Sequence, residues 1–126
     1  MQQVSDSELI IMKLIWENQG EMMFSELTAK LEDNGYQWKK NTILTFLSRL
    51  AEKKMLHVQK VGRLNKYITS ISEESYLTQQ TEDFLGKVYE GDVSGLISTL
   101  FQNEMISESE INQLKTFWKM EKDKND

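Results

Sequence analysis

Between Lys39 and Lys66 the chain carries eight basic side chains, Lys39, Lys40, Arg49, Lys53, Lys54, Lys60, Arg63 and Lys66, against a single acid, Glu52. The whole protein has a formal net charge of −5. Cations gathered so unevenly imply a polyanionic partner. Interleaved with them are Asn41, Thr42, Thr45 and Ser48, short polar groups of the kind that reach base edges where a helix backbone comes close to a duplex. Arg49 adds a forked donor to that set, while Lys39, Lys40, Lys53 and Lys54 suit the phosphates at the helix edges. Lys60, Arg63 and Lys66 fall in the next segment, where they would meet backbone or the adjacent minor groove. Leu44 lies on the same face. It either meets a thymine methyl or covers the helix edge near Tyr36 or Trp38. A lysine run is ordinarily a solvated helix face, but eight cations to one acid, joined to the helical pattern below, favours double-stranded DNA as the partner.

Other chemistry has no visible constellation. There is no cysteine, which removes disulfides, thiolate metal sites and cysteine nucleophiles. His57 is the single histidine and by itself makes neither a metal site nor a catalytic dyad. Glu73, Glu74, Glu82, Asp83, Glu90 and Asp92 are spaced as solvated helix faces, not as converging acid/base pairs. No glycine-rich phosphate loop occurs. Tyr36, Trp38 and Tyr67 could stack on bases, although aromatics in such places usually pack as core or rim. No enzyme, cofactor or metal site is expected.

The elements that position these groups can be read from periodicity. Ile43, Phe46, Leu47 and Leu50 recur at i, i+3, i+4 and i+7, the spacing of one buried helix face, within a helix from about Lys40 to Lys54. A first helix is expected from about Asp6 to Asn18. Ser5 to Glu8 has capping-box form, and Leu9, Met12 and Trp16 make the stripe, widened by Ile11 and Ile15. Met22 to Phe24 reads as a short strand or extended entry. A second helix follows from Ser25, as N-cap, to the Asn34-Gly35 stop, with Leu27 and Leu31 inward. After Met55 the period becomes two. Leu56 to Val61 and Lys66 to Ile71 read as strands about a Gly62-Arg63-Leu64-Asn65 turn. Three helices closed by a basic hairpin make a winged helix-turn-helix.

Residues 1–72 carry ten basic and eight acidic groups, and residues 73–126 carry five and twelve, so the two parts serve different ends. The second part shows three amphipathic helices, from Ser72 to Glu90, from Asp92 to Asn103, and after the Ser107–Glu110 capping box. Such short helices bury too little among themselves. A second copy of the chain is expected to cover Tyr76, Phe84, Val88, Leu96, Ile97, Leu100, Phe101, Ile111, Leu114, Phe117 and Trp118. The expected fold is mainly α (α+β): a winged-helix DNA-binding domain over 1–72 and a helical dimerisation region over 73–126. No apolar run approaches the length that spans a bilayer, and no signal peptide is recognised. A cytoplasmic protein without direct membrane association is expected.

Ser7-Glu8-Leu9 leading to Ile15-Trp16, Thr42-Ile43 with Thr45 and Ser48-Arg49-Leu50, Lys53-Lys54, Phe84-Leu85, Tyr89-Glu90-Gly91-Asp92 and Leu96 together resemble the BlaI/MecI/CopY group of bacterial winged-helix repressors, over nearly the whole chain. The resemblance implies a homodimer joined through its C-terminal helices, each winged helix on half of a palindromic operator overlapping a promoter. Binding would block transcription of a β-lactam-resistance or other stress-response operon. It also implies release when a membrane-bound sensor protease signals cleavage in the tail. Three positions depart from the family pattern. Leu44 stands where the β-lactam branch usually has a basic residue; Ser98-Thr99-Leu100-Phe101 lacks the Asn of that branch's Asn-Phe cleavage site; and the copper branch's cysteines are missing. The rival readings are a winged-helix regulator with its own small-molecule pocket and a winged-helix protein-interaction adaptor.

Overall fold

A computed structural model describes residues 3–124. The chain divides into two compact units, Met1–Thr78 and Gln79–Asp126.

In the first unit, α1 (Asp6–Glu17) starts at the expected box: the Ser5 hydroxyl accepts from the Glu8 N–H at 3.2 Å, and the Glu8 carboxylate accepts from the Ser5 N–H at 2.9 Å. The buried stripe is displaced from the expected one. Glu8, Ile11, Met12 and Ile15 are buried, while Leu9 and Trp16 lie half-buried at its margin, because the core is approached from the Ile11 side. Gly20 ends the segment with φ +82°. Its carbonyl accepts the Thr69 N–H at 2.9 Å, an approach close enough that a Cβ there would sit 3.0 Å from Thr69 Oγ1.

Met22 to Phe24 resolves into β1 (Glu21–Met23), with Phe24 already the first residue of α2 (Phe24–Asp33). The N-cap is Met23, not Ser25. Glu26 accepts the Met23 N–H at 3.0 Å, and Ser25 lies inside the first turn. Leu27 and Leu31 are buried as expected. Helix α3 (Lys40–Glu52) buries Ile43, Leu47 and Leu50. Strands β2 (Leu56–Val61) and β3 (Leu64–Thr69) pair antiparallel, and β1 joins the other edge of β3, giving the order β1-β3-β2. The hairpin turn is tighter than expected. Leu64 pairs Val61 and Asn65 pairs Lys60 within the ladder, so only Gly62 and Arg63 make the turn. Gly62 has φ +64°, and a positive φ at the first central position matches strand twist.

Ile11, Met12, Ile15, Leu27 and Leu50 are fully shielded and meet Met22, Leu47, Met55, Leu56 and Tyr67 in one core. Burial of each large aliphatic side chain contributes about 1.5–3 kcal/mol, and this sets α3 against α1, α2 and the sheet.

Helix α4 (Glu73–Tyr89) begins in the first unit, where the Ser72 hydroxyl accepts the Ser75 N–H at 3.1 Å. Tyr76 packs against Trp16, ring centroids 5.5 Å apart, and is 6% exposed. That corrects its expected place at a dimer interface: its own domain covers it. In the second unit α4 stops where Glu90 turns left-handed at φ +52°. Helix α5 (Val93–Gln102) is capped by Asp92, whose carboxylate accepts the Gly95 N–H at 3.0 Å. Helix α6 (Glu108–Lys124) starts at the Ser107–Glu110 box, with reciprocal bonds of 2.9 and 3.1 Å.

Candidate nucleic-acid interface

Packing of Ile43, Leu47 and Leu50 turns the opposite side of α3 outward. Asn41, Thr42, Leu44, Thr45, Ser48 and Arg49 are all on that exposed side, with Lys39 and Lys40 at its N-terminal end. Lys39, Lys40, Arg49, Lys60 and Arg63 form no ion pair among the described residues. Their charges are uncompensated by protein. Thr45 donates its hydroxyl to the Asn41 carbonyl at 2.9 Å, which leaves the oxygen lone pairs facing out as acceptors.

Leu44 is 36% exposed and, with Leu47, Ser48, Ala51, Val58 and Tyr67, lines a cleft of about 240 Å³ between α3 and the hairpin. The helix edge near Trp38 is covered by another residue. Phe46 meets the Trp38 ring edge-on at 5.2 Å, and Tyr36 lies tilted against Trp38 with centroids 5.0 Å apart. Tyr36 and Trp38 are half-buried rim, and Tyr67 is core.

Two of the expected phosphate contacts are engaged otherwise. Lys53 Nζ lies 2.5 Å from Glu8 Oε1, so the charge expected beside a duplex faces a buried carboxylate. Lys66 pairs with Glu21 at 3.3 Å across the β1–β3 edge. An exposed pair of this sort is worth under about 1 kcal/mol and can open. Burial would by itself raise the Glu8 pKa, but the Lys53 ammonium and the Ser5 N–H and hydroxyl outweigh it and hold the carboxyl below its ordinary value. Periodicity marked Glu8 only as a capping residue. The signal it also carried was position: an acid on the turn that the first-helix stripe buries.

Outside this surface, burial raises the Tyr76 phenol, and hydrogen bonds from the Ser107 N–H and hydroxyl lower Glu110. No group of three or more His, Asp or Glu able to hold a metal ion occurs among the described residues. No helix among them is long and apolar enough to cross a membrane. In the tail, Phe84, Val88, Ile97, Phe101, Leu114, Phe117 and Trp118 are each 46–67% exposed, while Leu96, Leu100 and Ile111 are half-buried.

A family model described as penicillinase repressor matches residues 4–120. The chain belongs to the penicillinase repressor family. Within that family it is 33% identical over 112 residues to the penicillinase repressor of Bacillus licheniformis, covering 89% of this chain and 86% of the relative. It is 24% identical over 115 residues to the methicillin resistance regulatory protein MecI of Staphylococcus aureus, covering 90% of each. Among solved structures it is similar to the DNA-binding domain of the repressor BlaI, with a TM-score of 0.51 and 34% identity over 60% of this chain and 94% of that one. It also resembles monomeric Bacillus licheniformis BlaI in complex with the blaP half-operator, with a TM-score of 0.50 and 36% identity over 60% and 89%. The penicillinase repressor resemblance drawn from Ser7-Glu8-Leu9, Ser48-Arg49-Leu50 and the tail motifs is therefore correct, and so is the mainly helical winged-helix fold.

Proposed function

We propose that this chain is a transcriptional repressor that binds promoter DNA as a homodimer on a palindromic operator. The observation that carries the reading is the outward face of α3: Asn41, Thr42, Thr45, Ser48 and Arg49 stand exposed beside unpaired Lys39 and Lys40, on a winged helix similar to the DNA-binding domain of BlaI. The Bacillus licheniformis BlaI complex with a half-operator supports the same partner here.

In this reading α3 enters the major groove. Arg49 and Asn41 supply forked contacts to base edges, Thr42, Thr45 and Ser48 adjust to the local pattern, and Leu44 meets a thymine methyl. Lys39, Lys40, Lys60 and Arg63 neutralise phosphates, and Lys66 joins them when its pair with Glu21 opens. Occupation of the promoter excludes the transcription machinery sterically. One small module binds too weakly to compete with genomic non-specific DNA, whereas two joined copies make the second contact intramolecular. The exposed apolar side chains of residues 79–124 support a second copy as their cover, with Tyr76 now assigned to the winged helix. The functional division is DNA binding over about 1–72 and dimerisation over about 73–126, in the cytoplasm.

A membrane-bound sensor protease is the partner through which family resemblance would release such a repressor. Ser98-Thr99-Leu100-Phe101 lies inside α5, so a protease would have to open that helix before cutting it. Selection of duplexes from a random pool by the full-length protein tests the central claim. A two-fold symmetric consensus is expected, and retention of no duplex at low ionic strength overturns it.

A further inference from the structure

Glu8 is the charged side chain that the described fold buries, at 1% exposure. One of its oxygens, Oε1, accepts both the Ser5 N–H at 2.9 Å and the Lys53 ammonium at 2.5 Å. Lys53 is the C-cap of α3. The next residue, Lys54, adopts φ +61° and turns the chain through Met55 into β2. A single carboxylate therefore ties the start of α1 to the point where α3 hands over to the wing.

Lys53 and Ser5 together hold the Glu8 carboxylate charged against its burial, yet well-packed apolar groups at such a site often stabilise a fold as well as an ion pair does. What a directional ion pair adds is a defined geometry. Its position makes that geometry matter, because the Lys53 N–H donates to the Arg49 carbonyl at 3.0 Å. The pair thus holds the end of α3 that carries Arg49 and that leads through Lys54 and Met55 into the wing bearing Lys60 and Arg63. Hydrogen bonds to base edges tolerate little displacement, whereas contacts to a uniform phosphate track tolerate much.

We infer that Glu8, through Lys53, is a positioning residue that sets α3 and the wing as one reading surface and so governs discrimination between DNA sequences. The inference rests on the repressor reading above. It separates Lys53 from the phosphate-binding lysines: its ammonium is withheld from DNA by Glu8.

The test compares full-length wild type, Glu8→Gln and Lys53→Met on two probes, the duplex recovered by wild-type selection and the same bases shuffled. Each measurement is made well below the melting temperature of the variant used, over a salt series. Glu8→Gln keeps an acceptor for the Ser5 N–H while removing the negative charge that holds the Lys53 ammonium. It is expected to bind the selected duplex about tenfold more weakly and the shuffled one as well as or better than wild type. Lys53→Met is expected to lose the same discrimination with no change in salt slope, and the double variant to lose no more than either single one. A merely structural pair would lower the melting temperature and leave the ratio between probes intact, which overturns the inference. A phosphate contact by Lys53 would weaken both probes equally and reduce the salt slope by about one, which also overturns it. If wild type selects no duplex, the repressor reading itself fails, an outcome distinct from a variant that keeps full discrimination.

Discussion

Trp16 donates its indole N–H to the Ile71 carbonyl at 2.9 Å across 55 residues of chain, and the Trp16 ring lies against Tyr76. One side chain of α1 thus pins the exit of the wing and the first turn of α4. Trp16→Phe removes the donor and leaves the carbonyl without it, at an expected cost of about 1 kcal/mol. Thermal unfolding should show a melting temperature lower by roughly 4–8 °C for a domain of this size. An unchanged value would mean that solvent serves Ile71 equally well.

Acid should loosen the first unit through Glu8. Its folded pKa is depressed below the ordinary 4.5, burial acting against the shift and Lys53 and Ser5 prevailing. A depressed carboxylate stabilises the fold fully above its unfolded value, and that contribution is lost as pH falls through the folded one. Stability should therefore be level with respect to this group at neutral pH and decline below about pH 4.5. Denaturant titrations of wild type and Glu8→Gln across pH 3 to 7 should converge at the acid end; curves that stay parallel throughout would remove Glu8 from the acid response.

Arg49 and Arg63 should fail differently. Arg49 projects from the exposed face of α3, so if the repressor reading holds Arg49→Ala is expected to cost about 1–3 kcal/mol and relax preference at one operator position. Arg63 occupies the exposed hairpin turn, so Arg63→Ala should weaken all duplexes alike and lower the salt slope by about one. Gel shifts of both variants over a salt series check this. Equal behaviour would mean that helix and wing make the same kind of contact.

The tail should govern affinity by joining two copies. A fragment ending at Thr78 keeps the Trp16–Tyr76 contact and the whole core of the first unit. It should sediment as a folded monomer with operator affinity at least a hundredfold below that of the full chain, the gain that linkage commonly supplies. In the full chain Trp118→Glu, at a side chain 67% exposed, should shift sedimentation toward monomer. Should the fragment bind as tightly as the full chain, dimerisation would have no part in recognition.

Local order alone determined a good deal of this protein. The Ser5, Asp92 and Ser107 caps, the Ile43–Leu47–Leu50 stripe and the exposed polar and basic face of α3 are set by neighbours within four residues, where backbone donors and helical period leave few choices. The family, too, was legible from motif order. Only the tertiary structure decided matters that depend on residues far apart in the chain. It drew Glu21–Met23 onto β3 as a third strand and shortened the turn to Gly62-Arg63. It rotated α1 so that Ile11 and Ile15, not Leu9 and Trp16, fill the centre, and it took Tyr76 into the winged helix. The pairing of Glu8 with Lys53 belongs to the same class. Nothing within a helical turn of either residue foretells it, because an ion pair 45 residues apart exists only after the hydrophobic core has brought two helix ends together.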